Sequence, residues 1–280
     1  MNLYVINNGH FKLDGGAMFG VVPKSLWNKL NPSDDNNLCS WAMRSLLVEE
    51  GNKAILIDNG MGNKQSDRFF SFYYLHGDDT LERSLSKAGF SKNDISDMFL
   101  THLHFDHCGG SVELDTNGTP RLCFENAKYW STKAHWDWAV NPNARERASF
   151  LKENILPIEK SGNLNFINEE DPSLYDTFDL LFMNGHTQSQ MLPKISYKGH
   201  TIVFVADLIP SVGHIPLPYV MGYDTRPLQT MAEKEKFLKD AADNGYILFF
   251  EHDPINECCT VMHTEKGVRP DKIFPLSEIV

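Results

Sequence analysis

Residues 101–110 read Thr-His-Leu-His-Phe-Asp-His-Cys-Gly-Gly. The apolar run Ile95–Thr101 in front of them has the character of a buried strand, and Gly109-Gly110 behind them turns the chain. Neutral imidazoles and a carboxylate are borderline ligands of the kind that suits zinc and related divalent ions. His102 and His104 are two residues apart, so on an extended segment both side chains point the same way. Asp106 and His107 lie past the strand, where a turn can aim them at a second point. With 11 His in 280 residues, this pattern arises by chance in about 0.1% of chains, so a merely solvated loop is the weaker reading.

The same rule recurs downstream. His186 follows the β-like run Leu180–Met183, Asp207 follows Val203–Ala206, and His252 follows Leu248–Glu251. Ligand-type residues at the ends of several strands build a site on rigid scaffold. With the cluster, they complete a set large enough for two metal ions sharing one carboxylate.

Around these landmarks the chain alternates strand and helix. Leu3–Ile6 is expected as a strand, followed by a turn at Asp14–Gly16. Met43–Glu49 with Ala54–Asp58, and Ile195–Tyr197 with Thr201–Ala206, carry hairpin signatures. Asp79–Lys87 has helical spacing and stops at Gly89. The segment Ala127–Ile158 is expected to be helical, Phe178–Met183 a strand, and Pro227–Asn244 a helix closed by Gly245. Tyr246–Glu251 is the last strong strand, with Thr260–His263 pairing beside it. Two strand-rich halves, each followed by helices, predict an α+β fold of two sheets face to face with helices outside, in one domain over 1–280.

Composition excludes several function classes. The 280 residues carry 26 Lys plus Arg against 37 Asp plus Glu, a net charge of −11, with no basic run. Gripping a phosphate backbone needs clustered cations, so no nucleic-acid partner is expected. No apolar run approaches the ~20 residues of a membrane helix, and Met1–His10 lacks a basic leader. Five cysteines, at 39, 108, 123, 258 and 259, are an odd number without CxxC spacing. They are read as reduced thiols of a cytoplasmic protein, Cys258–Cys259 as packing and Cys108 as a small hydrophobe beside the cluster.

His102-x-His104-x-Asp106-His107, then His186, Asp207 and His252 in that order, resemble the metallo-β-lactamase fold superfamily of metal-dependent hydrolases. The match runs from about residue 40 to about 260, a whole domain. Ala206-Asp207-Leu208-Ile209-Pro210 and Glu251-His252-Asp253-Pro254 resemble its lactonase and organophosphate-hydrolase branch. The resemblance implies a four-layer αββα sandwich of two mixed sheets. It also implies that His102, His104 and His186 hold one ion, that Asp106, His107 and His252 hold the other, and that Asp207 bridges them. Asp106 fits a hydrolase rather than the diiron redox branch. The implied reaction is cleavage of a lactone, an ester or a phosphotriester by a hydroxide between two cations, most simply zinc, with manganese, iron or cobalt also accepted. Asp106 would then also be catalytic, passing a proton to the leaving group.

Two departures from the family pattern bear on substrate. His186 is followed by Thr187-Gln188-Ser189-Gln190 rather than Thr-Pro-Gly-His. Acyl-homoserine lactonases place a substrate-contacting Tyr three residues after the bridging Asp, where this chain has Pro210. The nearest replacements are His214, Tyr219 and Tyr223, and His214 is taken as the candidate reaching the substrate oxygen. Aromatics at Phe69, Phe70, Phe72, Tyr73 and Tyr74, and at Trp136 and Trp138, would favour a small-molecule substrate with an acyl or aryl group. Core packing and a homodimer contact are their alternative uses, and Met18–Trp27 is open to lining the substrate entrance or making that contact. A glyoxalase II-type thioesterase is the alternative enzyme; its basic C-terminal segment is represented only by the scattered Lys266, Arg269 and Lys272. A metal-stabilised binding or scaffold protein without turnover is the non-enzyme alternative.

Overall fold

The apolar runs of the sequence become strands of two six-stranded sheets in the computed structural model, which describes residues 1–170, 172 and 174–280. Strand β1 (Asn2–Asp14) leads through helices α1 (Gly15–Phe19) and α2 (Lys24–Trp27) to β2 (Leu38–Glu50) and β3 (Lys53–Ile57). Helices α3 (Asp67–Phe70) and α4 (Leu81–Lys87) precede β4 (Asp97–Phe99), and α5 (Phe105–Cys108) follows it. A small hairpin of β5 (Val112–Leu114) and β6 (Pro120–Leu122) comes next. Beyond it lie β7 (Lys128–Thr132), α6 (Lys133–Val140), α7 (Lys152–Ser161) and β8 (Leu164–Ile167). The chain continues through β9 (Phe178–Met183), β10 (Gln190–Tyr197), β11 (His200–Phe204), α8 (Pro227–Asn244), β12 (Ile247–Phe249), β13 (Cys258–Thr264) and β14 (Gly267–Phe274).

These elements divide into two compact units, Met1–Gly9 with Met43–Pro172 and His10–Ala42 with Ser173–Val280. One sheet has the order β1-β2-β3-β4-β7-β8. Within it β3, β4, β7 and β8 are successively parallel, so the residues that follow β3 and β4, Asp58 and the histidine cluster, leave the same sheet edge. Leu56, Met98, Leu100, Tyr129, Ile155 and Ile158 fill the core of this unit. The other sheet has the order β14-β13-β12-β11-β10-β9. There β11 is parallel to β12, and both β9 and β11 run antiparallel to β10. Strands β9, β11 and β12 therefore point one way, and His186, Asp207 and His252 emerge at one edge. Phe204 and Phe249 stack beneath that edge with ring centroids 5.5 Å apart. Full burial of such side chains stabilises by about 1.5–3 kcal/mol each.

Helix α8 begins with Pro at its first position, where the missing N–H costs nothing, and ends at the left-handed Gly245. Its buried residues Thr230, Lys234, Phe237, Leu238 and Ala241 recur at three- and four-residue spacing, the period of a single buried face. Both expected hairpins form, pairing Glu50 with Lys53 and Tyr197 with His200.

Three expectations need correction. The segment Asp14–Gly16 opens α1, with the Asp14 carboxylate accepting from the Ala17 N–H as an N-cap. Ala127–Ile158 is helical only in α6 and α7, because Lys128–Thr132 is a strand between β4 and β8. Its alternation puts Tyr129 in the core while the Trp130 indole donates to Asp97. Met18–Trp27 supplies interior rather than surface aromatics: Phe19 and Trp27 are buried, with rings stacked at 5.5 Å.

The two glycines after the cluster are required by close approach. A Cβ on Gly109 would lie 2.2 Å from the Met61 carbonyl oxygen, and one on Gly110 would lie 2.3 Å from that of Asn59. The turn carrying Asp106 and His107 is thereby held against residues 59–62. All five cysteines are buried and free. Among the described residues, no helix is long and apolar enough to cross a membrane.

Candidate metal centre

In the first unit, the cluster residues meet as their spacing predicts. His102 Nε2 lies 3.1 Å from His104 Nδ1. The opposite nitrogens are engaged behind them. His102 Nδ1 contacts Thr101 Oγ1 at 3.1 Å, while that hydroxyl donates to Asp58 Oδ2. His104 Nε2 faces Glu146 Oε1 at 3.4 Å. In the tautomers whose protons point backwards, the facing Nε2 and Nδ1 are both left as lone-pair donors for one cation. Leu103 N–H donates to His135 Nε2 and so fixes the backbone between the two histidines. His107 Nδ1 donates to Asp58 Oδ2 at 3.0 Å, and its Nε2 turns toward Asp106 Oδ2 at 3.9 Å. A carboxylate behind a histidine in this manner sets its tautomer and strengthens it as a ligand.

In the second unit, Asp207 sits between two imidazoles, with Oδ2 3.1 Å from His186 Nε2 and Oδ1 3.2 Å from His252 Nε2. Each imidazole is anchored on its other side. His186 Nδ1 donates to Asp224 Oδ1 at 2.9 Å, and His252 Nδ1 donates to the Ala42 carbonyl at 2.8 Å. Both Nε2 atoms thus face carboxylate oxygens, an arrangement that a positive charge stabilises, whether a proton on the imidazole or a cation beside the pair. Burial alone would push the His186 pKa down, but Asp207 and Asp224 outweigh it and raise the value to about 10. The two units thus each contain donor groups that suit a divalent ion.

The backbone is bent into unusual shapes at both places. Asp58 has φ +56° and Ala206, immediately before Asp207, has φ +38°. Left-handed geometry at non-glycine residues carries strain that the surrounding structure must hold.

Sequence reasoning missed the anchors Asp58, Glu146, Asp224 and His135. Asp58 directly follows the strand β3, so the rule that found Asp207 would also have found it. Asp224 lies in a loop, and nothing in its neighbourhood announces it.

His214 does not lie where the sequence suggested. It is fully buried, its Nε2 donates to the Met18 carbonyl at 2.9 Å, and its Nδ1 is 2.8 Å from Ser211 Oγ. Its ring stacks on Phe19 at 4.2 Å. With both nitrogens held inside the unit, it braces α1 rather than reaching outward. Burial pushes its pKa from 6.5 down to about 3, against the Met18 hydrogen bond. A histidine depressed in this way is neutral when folded and takes up a proton on unfolding. Its contribution to stability is therefore intact above pH 6.5 and is lost as pH falls toward 3, at up to about 1.4 kcal/mol per pH unit. Urea midpoints measured between pH 7 and 5 should fall more steeply for the parent protein than for His214→Gln. Parallel slopes would refute this account.

The aromatics divide by location. Phe69, Tyr73 and Phe105 form a cluster with centroids 4.8–5.3 Å apart. Burial pushes the Tyr73 hydroxyl up to about 12, and the Asp106 charge adds to the shift, so this cluster flanks Asp106. Phe72 and Tyr74 are exposed, Trp136 is core, and the Trp138 indole donates to Glu146 at 2.7 Å.

Comparison with known proteins agrees with this chemistry. A family model described as the metallo-β-lactamase superfamily matches residues 44–252. An N-acyl homoserine lactonase of Bacillus cereus is 26% identical over 98% of this chain and 97% of its own length. The structure of a probable metal-dependent hydrolase from Staphylococcus aureus superposes with a TM-score of 0.88 at 26% identity, covering 100% of this chain and 98% of that one. A dizinc quorum-quenching lactonase, AidC, solved with an acyl-homoserine product, gives 0.77 at 28% identity, over 98% of this chain and 95% of that one.

Proposed function

Because the chain belongs to the metallo-β-lactamase superfamily and is a metal-dependent hydrolase of that fold, we propose that it opens the lactone ring of an acyl-homoserine lactone at a dinuclear centre. In this reading His102, His104 and His186 would hold one ion, Asp106, His107 and His252 would hold the other, and Asp207 would be shared by the two; the donor atoms of His102, His104, His186 and Asp207, and those of Asp106, His107 and His252, support it. The two units of the fold then act as one catalytic domain over residues 1–280. The observation that carries the reading is the Asp207 carboxylate, with one imidazole nitrogen against each oxygen and a hydrogen-bonded anchor behind each imidazole. Lactonase names among full-length relatives support a lactone rather than a phosphotriester.

When bound, the ions supply a nucleophile at neutral pH and a Lewis acid for the substrate carbonyl. Zinc is the favoured metal on the dizinc neighbour, although manganese, iron or cobalt also suits these donors. The protein's own part is positional. Asp58 and Asp224 hold the tautomers of His107 and His186, and Glu146 faces the outer nitrogen of His104. Asp106 would take the proton that the attacking water gives up and pass it, from its carboxyl, to the leaving ring oxygen. Phe69, Tyr73 and Phe105 offer an apolar wall for the acyl chain. The buried free cysteines support a cytoplasmic setting, and exposed Phe72, Tyr74 and Leu75 support a homodimer contact.

The test is hydrolysis of medium-chain acyl-homoserine lactones by zinc-loaded protein, with Asp106→Asn as control. Turnover that the control loses by orders of magnitude is the expected result. Stoichiometric metal without turnover would keep the hydrolase and remove the lactone.

A further inference from the structure

Away from every residue of the metal centre, the second unit contains a cavity of about 280 Å³. One wall is Leu217-Pro218, in the loop between Asp207 and Asp224; another is Leu238 and Lys239 of α8; the third is Lys266 of the β13–β14 turn with Val268 and Arg269 at the start of β14. The charges at this cavity do not cancel. Glu235 is its one acidic neighbour and is already paired with Lys239 at 2.8 Å, and His263 is paired with Asp243 at 2.7 Å. Lys266 and Arg269 remain, and among the described residues neither forms an ion pair. In a chain of net charge −11, two cations without counter-ions beside one apolar hollow stand against the prevailing field.

The turn that carries them is held in shape. Thr264 Oγ1 donates to the Gly267 carbonyl at 2.6 Å and accepts from the Lys266 N–H at 3.2 Å. Arg269 Nη1 donates to the Val268 carbonyl at 2.7 Å, which keeps the guanidinium close to the strand. The floor is apolar, built from Leu217, Pro218, Leu238 and Val268. An apolar floor with convergent polar groups is the usual form of a small-molecule site, and at this volume the occupant is small.

We propose that this cavity is an accessory binding site for a carboxylate with a short apolar tail, its charge on Lys266 and Arg269 and its tail against Leu217, Leu238 and Val268. Opening an acyl lactone releases a molecule of this class; that connection rests on the lactonase reading, whereas the site itself does not.

Hexanoate titrated into the full-length metal-loaded protein, followed by calorimetry, tests the proposal. The expected dissociation constant is about 1–10 mM, as for ligands of this size. In the double variant Lys266→Gln, Arg269→Gln this binding event should weaken at least tenfold, while Arg269→Lys alone retains most of it. Acetate should bind far more weakly for want of a tail, and hexylammonium should not bind there. Affinity unchanged in the double variant, or hexylammonium binding as well as hexanoate, would overturn the site. Thermal unfolding of each variant checks that the fold is intact. The titration reads binding and not turnover, so its outcome is independent of which substrate the metal centre takes.

Discussion

Asp207→Asn is expected to lower kcat/KM by at least about 10³-fold, equivalent to about 4 kcal/mol of transition-state stabilisation. The substitution preserves shape but exchanges one carboxylate oxygen for an amide group. That NH₂ would face an imidazole Nε2, either that of His186 at 3.1 Å or that of His252 at 3.2 Å. On the proposed dinuclear reading a negative charge shared between two sites is lost, and elemental analysis should find metal content falling with activity. Asp224→Asn provides the graded comparison. Asp224 contacts the back of His186, and loss of such a supporting carboxylate costs about 10–100-fold in metal affinity or activity. If both variants behaved alike, Asp207 would be another supporting residue rather than the group shared by the two ions.

Lys234→Met is expected to have the largest effect on stability, about 3–5 kcal/mol, in the range for removing one partner from a buried charged network. Lys234 is completely buried on α8, and its ammonium donates to the carbonyls of His214, Pro216 and Tyr219 at 3.0, 3.2 and 2.8 Å. Methionine fills similar volume but leaves all three carbonyls without that donor, and an unsatisfied buried acceptor costs about 1–3 kcal/mol. Against a typical total of about 5–15 kcal/mol, the loss should appear as a large fall in urea midpoint at unchanged m. Burial pushes the Lys234 pKa down to about 7, with Asp224 opposing. A neutral amine has only two N–H groups for three carbonyls, so the contact is complete only in the protonated state. A midpoint within experimental error of the parent would show that other contacts hold residues 214–219.

The sequence was most legible where local chemistry and strand position coincide. His102 to His107 and the polar residues after β9, β11 and β12 needed only spacing and the apolar runs before them. Helix α8 was delimited by Pro227 and Gly245 because those residues act locally. Reading failed where the deciding partner is distant in the chain. His214 resembled an outward-facing replacement for a missing Tyr, but its partner is the Met18 carbonyl, 196 positions away. Lys128–Thr132 sat beside Trp-rich helical sequence, and only pairing with β4 and β8 makes it a strand. Asp224 and Glu146 meet histidine nitrogens about 40 positions away in the chain, and neither belongs to a periodic pattern.

The interleaved course of the chain has a consequence for biosynthesis. One unit joins Met1–Gly9 to Met43–Pro172, and the other joins His10–Ala42 to the segment beginning at Ser173. A ribosome making the protein therefore finishes the first unit while His10–Ala42 still lacks its companions. At roughly 5–20 residues per second, that segment waits on the order of ten seconds, with Phe19 and Trp41 without the ring partner His214 that they have in the finished fold. Nascent chains stalled between residues 172 and 214 would be the species most in need of a chaperone.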